Sequence, residues 1–357
     1  MAILAEPFPG DTRSRRADFL ELSALLSPRG RSGKATLLGV LDLAGDMAVE
    51  EPILDEIDGQ ILDEEIVESS REQIVANTFE ELDYRQGCIG SAYPFAVDAQ
   101  KQTVKFDGST VREPSGRSIY LFCLLASAIR SSQIQGGDEI KEITQEIAPN
   151  FQICACLAAG GFLAGSVSSF GFPRATGDAF LPALRNTYAR FGLGTVRAEV
   201  PDGLPEELKD GGIDVIAWRE FPDRMAGKLY LLGQTASGVN WRSKSVVEYI
   251  PQLHGSWFTE APAKHNTPAM FIPFPLHHEM DEPRQDSFAV ALKRRFWHEE
   301  QRFGIIFDRV RIPHLANLCL KLPEEARRHI ESADQLAAIG NWVAKTVALF
   351  RPKGTAA

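Results

Sequence analysis

No stretch of this chain reaches the ~20 consecutive apolar residues that a membrane-spanning helix requires, and no apolar signal core precedes Arg13-Ser14-Arg15-Arg16. Both absences predict a cytoplasmic protein with no membrane contact. Cysteine is scarce and odd in number, at Cys88, Cys123, Cys154, Cys156 and Cys319. Mostly embedded in apolar segments, these residues are expected to be buried free thiols of a reducing compartment. Cys154-x-Cys156 has no partner pair and His277-His278 lacks helical ligand spacing, which argues against zinc. Internal repeats and long low-complexity segments are also lacking.

Positive net charge is missing too: the chain carries −10. The deficit is local, however. Fifteen acidic residues fall between Asp42 and Asp83 against one basic residue, Arg71, so the remainder is +4. Such a segment is either a solvated acidic face or an element that fills a basic groove or recruits a partner. Ser27-Pro28-Arg29-Gly30-Arg31-Ser32-Gly33-Lys34-Ala35-Thr36 has the look of a phosphate loop. It fails the pattern at Pro28, where glycine is needed, and at Ala35, where a hydroxyl is needed, and reads as a basic surface loop.

At 357 residues the chain can hold two domains. Residues 1–137 read as an N-terminal α+β domain with the acidic segment 42–83, residues 138–330 as a second α/β domain, and residues 331–357 as a C-terminal helix and tail. Helical spacing is seen over 13–26, 64–82, 118–130, 139–147, 151–164, 178–191, 241–253 and 289–302, and short strands over 92–98, 103–106, 269–274 and 304–312. The final helix is expected to start from a capping box at Ser332–Gln335.

The segment richest in chemistry is Asp210-Gly211-Gly212-Ile213-Asp214-Val215-Ile216-Ala217-Trp218, followed after a Pro, Asp and Gly turn by Lys228-Leu229-Tyr230-Leu231-Leu232-Gly233-Gln234-Thr235-Ala236. Two apolar, β-branched runs around turn residues predict an antiparallel hairpin. Alternation of side chains then sets Asp214, at the start of one strand, beside Gln234, at the end of the other. A carboxylate oxygen, an amide oxygen and the Thr235 carbonyl suit a hard cation such as Mg²⁺ or Mn²⁺. Such an ion activates water and stabilises charge on a phosphoryl oxygen.

These residues resemble the PD-(D/E)XK nuclease superfamily, and within it the Mrr-like restriction endonuclease branch, over about residues 176–250. Asp210-Gly211-Gly212-Ile213-Asp214-Val215 and Gln234 match its Asp-Gly-Gly-Ile-Asp-Val and Gln-x-Lys motifs. The resemblance implies a restriction-endonuclease-like mixed sheet flanked by helices in 138–330, Mg²⁺-dependent cleavage of DNA, and a restriction-type or anti-phage defence setting. It implies Asp214, Gln234 and a lysine as catalytic residues. The lysine expected at 236 is Ala236; Lys244 either replaces it from the first turn of a helix capped by Asn240 or is a solvated lysine. Asp178 either supplies a third ligand from the helix before the hairpin or caps that helix.

Arg174 is read as a phosphate contact or a structural ion pair. Lys293, Arg294, Arg295, Arg309 and Arg311, with Phe296 and Trp297 interleaved, form a phosphate-tracking surface or an ordinary helix with a solvated face. The alternative to a DNA nuclease is a catalytically impaired subunit on the same fold that binds nucleic acid or scaffolds a helicase or ATPase partner.

Overall fold

The computed structural model describes residues 3–5, 11–48, 64–108, 115–174, 176–205, 208–238, 240–283 and 285–350. From the N-terminus run β1 (Ile3–Leu4), α1 (Arg13–Leu26), β2 (Arg31–Gly33), α2 (Lys34–Ala48), α3 (Glu64–Ile89), β3 (Phe95–Asp98), β4 (Thr103–Phe106), α4 (Gly116–Arg130) and β5 (Ile134–Gln135). They are followed by α5 (Asp138–Gln145), α6 (Ile147–Leu163), β6 (Ser166–Ser169), α7 (Phe180–Phe191), β7 (Thr195–Val196), β8 (Val215–Arg219), β9 (Leu229–Thr235), α8 (Val246–Trp257), β10 (Phe258–Glu260) and β11 (Thr267–Phe271). The chain closes with α9 (Phe288–Phe303), β12 (Ile305–Phe307), α10 (Ile312–Leu320), α11 (Glu324–Arg327) and α12 (Leu336–Ala348). No helix among the described residues is long and apolar enough to cross a membrane.

The protein is mixed α/β, built on a five-stranded sheet of order β12-β11-β9-β8-β6. The β6, β8 and β9 strands are antiparallel neighbours, whereas β11 and β12 run parallel to β9. Parallel neighbours need crossovers, and α8 and α9 lie on the connections that supply them. Both faces are covered. Val215, Ala217, Leu231, Ala269, Phe271 and Phe307 pack in the cluster that contains α6, while Ile216, Trp218, Tyr230 and Leu232 pack with α7 and α8. The Ala- and Gly-rich sequence of α6 permits a close approach to α10: a methyl group on Gly161 would lie 1.9 Å from the Leu315 carbonyl oxygen.

The boundary expected at residue 137 does not divide the core. One apolar cluster runs from Ala17 in α1 through α3, α4 and α6 to Val347 in α12, and the Trp342 indole donates to the Ile143 carbonyl at 3.2 Å. The N-terminal α+β elements and the last helix therefore share the core of the large sheet. The 27–36 segment, expected as a surface loop, forms β2 and the start of α2, because β2 pairs with β4 and the buried Ser32 hydroxyl donates to the Leu20 carbonyl. No capping box opens α12: Ser332 has φ +70° and lies in a turn, and α12 begins only at Leu336. Of the five cysteines, four are buried and free as expected, but Cys88 is exposed.

Residues 49–63 of the acidic segment, and the side chains of 42–48 and 64–68, lie outside the described residues. Glu81, within the described part of the segment, is not solvated. It is buried and binds Arg85 at 2.7 Å and His277 at 2.9 Å; against the cost of burial, these two partners hold its carboxyl down at about 2. Arg85 also reaches Asp18 at 2.6 Å and Glu21 at 3.1 Å. A buried ionic network thus ties α1 and α3 to the segment after β11.

Candidate active site

The expected hairpin forms, and its register fixes the site. Because Val215 pairs with Gly233 and Ile216 with Leu232, Asp214 stands directly opposite Gln234. The approach to Asp214 explains the paired glycines. Gly211 and Gly212 have φ +62° and +78°, a conformation that costs an L-residue strain, and a methyl group on Gly212 would lie 2.3 Å from the Tyr249 ring. The Asp210 carboxylate accepts from the Gly212 N–H at 2.9 Å and closes the turn.

Asp214 is held at every polar atom but one. Its N–H donates to the Gly233 carbonyl at 2.8 Å, and its carbonyl accepts from the N–H groups of Phe170 and Gly171 at 2.7 and 3.0 Å. Its Oδ2 accepts from the Thr235 N–H at 2.7 Å and the Thr235 hydroxyl at 3.0 Å. No hydrogen bond reaches Oδ1 from the described residues. Gly171 keeps that oxygen clear, since a methyl group there would lie 2.6 Å from it. Burial raises the Asp214 carboxyl to about 6; the charge of Asp210 adds to the rise, while the Thr235 donors and Lys244 oppose it.

Opposite, Gln234 is only 7% exposed, and its Oε1 is buried without a hydrogen-bond partner. An orphaned buried acceptor is costly unless something supplies a positive or donor group. Asp214 and Gln234 both line a cavity of about 860 Å³, together with Gln152, Lys209, Asp210, Thr235, Lys244 and Arg130. Among the described residues no three His, Cys, Asp or Glu side chains cluster as a metal cage. The donors on these paired residues are one carboxylate and one amide oxygen, whose chemistry suits Mg²⁺ or Mn²⁺ retaining most of its own water and not an ion needing a full protein cage.

The route by which Lys244 reaches the cavity differs from expectation. Trp241–Ser243 form a single 3-10 turn, α8 starts only at Val246, and Lys244 sits between them in extended conformation (φ −116°, ψ 131°). Its neighbours are anchored: Trp241 is fully buried, Arg242 pairs with Glu279 and Glu299, and the Ser245 hydroxyl donates to the Arg302 carbonyl at 3.1 Å. Ala236 is buried beside Trp241 in a third apolar cluster.

Asp178 does not line the cavity; its carbonyl accepts from Arg174 and it caps no helix, since Ala179 holds that position in α7. The helix residue at the site is Gln152 of α6, whose Nε2 donates to the Asp214 carbonyl at 3.2 Å and to Ser169 Oγ at 2.9 Å. Its only signal in the sequence is an amide, one of two with Asn150, in a mostly apolar helix.

The proposed phosphate contacts do not converge here. Arg174 is buried; it donates to the carbonyls of Asp178 and Lys209 and stacks over Phe170 at 4.7 Å, which makes it a strut between loops. Arg309 is fully buried and pairs with Asp18, beyond the reach of any nucleic acid. Arg294 and Arg295 are paired with Asp286 and Glu299. Lys293 and Arg311 border a separate groove beside β12, with Arg311 over the Phe296 ring at 4.0 Å. The cations that do border the Asp214 cavity, apart from Lys244, are Arg130 and Lys209, which sequence reasoning missed because they come from distant segments. Neither a family model, nor a curated protein, nor a solved structure gives a match to this chain.

Proposed function

We propose that this chain is a Mg²⁺- or Mn²⁺-dependent nuclease that hydrolyses phosphodiester bonds of DNA, on a restriction-endonuclease-like arrangement of a mixed sheet flanked by helices. The observation that carries the reading is that Asp214 and Gln234, opposite each other in register and with Gln234 Oε1 unpartnered, line one cavity together with Lys244. Asp214 and Gln234 would hold the cation, which supplies polarisation of a phosphoryl oxygen and a lowered pKa for water.

The protein's own groups have separable tasks. Thr235 fixes one carboxylate oxygen, leaving the other for the ion. Gln152 and the N–H groups of Phe170 and Gly171 pin the Asp214 backbone, so the carboxylate does not swing when charge arrives. The Lys244 ammonium offers donors and positive charge to the phosphate oxygens as a water oxygen bonds to phosphorus and one ester P–O bond breaks, the proton given up by the water ending, by way of solvent, on the departing alcohol oxygen. Arg130 and Lys209 are available to phosphates on either side.

The restriction-type, anti-phage setting rests on the resemblance of residues 210–215 and 234. A second reading, an impaired subunit that scaffolds a helicase or ATPase, is favoured by Ala236 and by an amide, Gln152, at the helix position. Incubating the purified chain with single- and double-stranded DNA and with RNA, in Mg²⁺ or Mn²⁺, separates the two. Cleavage abolished by Asp214→Ala at unchanged circular dichroism is the expected result. Full activity of that variant overturns the mechanism, and no cleavage of any substrate by the wild type favours the scaffold.

A further inference from the structure

The rim of the cavity carries an aromatic side chain that metal binding and phosphate chemistry leave unused. Phe172 is 53% exposed, although its neighbours in sequence are tightly held: Phe170 is 1% exposed and Arg174 9%. Arg174 clasps the carbonyl of Lys209, and the Lys209 ammonium lies 5.7 Å from the centre of the Phe172 ring. An aromatic face and a cation are therefore presented together, from two loops locked by one buried guanidinium, at the mouth of the cavity that holds Asp214 and Gln234.

An exposed phenylalanine face beside a cation at the edge of a cavity is a surface on which a flat ring can stack. Nucleic-acid bases are such rings, and the neighbouring cation meets the phosphate attached to the same nucleotide. In a duplex the base faces are already covered by their neighbours, so only an unpaired nucleotide can lay its ring on Phe172. The cavity volume of about 860 Å³ falls in the range of roughly 300–1,000 Å³ typical of pockets that enclose a ligand of nucleotide size. Gln234, more than nine-tenths buried and with its Oε1 unpartnered, lines the same cavity and offers it an unsatisfied polar group.

Resting on the nuclease reading above, we infer that the substrate strand is unpaired at the site, with one base stacked on Phe172 and its phosphate against Lys209. The chain thereby selects single strands, flaps or gapped ends over intact duplex.

The test is fluorescence anisotropy of the full chain in Ca²⁺, with a labelled twelve-nucleotide oligo(dT) and a blunt hairpin duplex of equal length. The wild type is expected to bind the single strand at least about tenfold tighter than the duplex. A stack is worth about 5- to 140-fold in affinity, so Phe172→Ala should lose that factor on the single strand and Phe172→Trp should retain it. Equal binding of the two forms, with no effect of Phe172→Ala on either, overturns the inference and leaves the nuclease reading intact. Absence of binding to both forms, together with absence of cleavage, overturns both.

Discussion

Replacing Asp214 by asparagine should make the protein more stable while destroying its function. In the folded state burial raises the Asp214 carboxyl from 3.8 to about 6, so between those values the native state binds the extra proton and the unfolded chain does not. Stability therefore falls as pH rises through that window, and the whole penalty is present above about pH 7. A rise of that size corresponds to at most about 3 kcal/mol; the carboxylate borders an open cavity, and screening by water reduces this to about 1–3 kcal/mol. Asparagine carries no charge and keeps an acceptor for Thr235. For a chain of 357 residues an unfolding entropy of about 2.1 cal/mol/K per residue converts the gain to roughly 1–4 °C. Thermal melts of both proteins in EDTA, from pH 4.5 to 8, should show the gap open with rising pH. Saturating Mg²⁺ should then close or reverse it by stabilising the wild type alone. A variant no more stable than the wild type at pH 8 refutes the buried-charge argument, and equal stabilisation of both by Mg²⁺ refutes the metal assignment.

Three other substitutions probe the construction of the site. Gly212→Ala forces a left-handed conformation and drives a methyl group into Tyr249, and should cost about 1–3 kcal/mol by urea unfolding, with cleavage lost in proportion to the displacement of Asp214. Lys244→Ala should slow single-turnover cleavage on the order of 10²-fold without changing the Mg²⁺ concentration needed; an unchanged rate would remove Lys244 from the mechanism. Arg309→Leu leaves Asp18 buried with one cation fewer and should cost about 3–5 kcal/mol, while the folded fraction binds DNA as the wild type does. Lost affinity at unchanged stability would instead restore Arg309 as a phosphate contact.

The parts of the fold that were legible in the sequence are those set by local rules. Alternating apolar residues and a Pro, Asp and Gly turn pointed to β8 and β9, and their places at the start of one strand and the end of the other set Asp214 opposite Gln234. What escaped was decided by residues far apart in the chain. Arg309 reads as one of a basic group because its partner, Asp18, is 291 residues away. Gln152 meets Asp214 only because α6 packs under the sheet, and two amides, Asn150 and Gln152, near the start of an apolar helix carry no periodic signal. Trp241–Leu253 has helical spacing, but burial of Trp241 in one cluster and of Val246 in another breaks it at Lys244.

That break bears on the departure from the Gln-x-Lys pattern. Side chains two apart on a strand share a face, so a lysine at 236 would emerge on the same side as Gln234. Here that side is filled: Ala236 is 1% exposed and packs in the cluster of Trp241, Met270, Ile272 and Phe274. A lysine at this position would have to displace the fully buried indole or bury its own charge, and either is costly. The segment that brings Trp241 over Ala236 also delivers Lys244 to the cavity three residues later, where its charge acts on the Asp214 carboxylate. An alanine at 236 and a lysine from the α8 junction on the cavity are thus two consequences of a single packing choice, the burial of Trp241 against Ala236. The arrangement leaves a lysine lining the same cavity as the carboxylate, the feature on which the proposed mechanism depends and which Lys244→Ala tests.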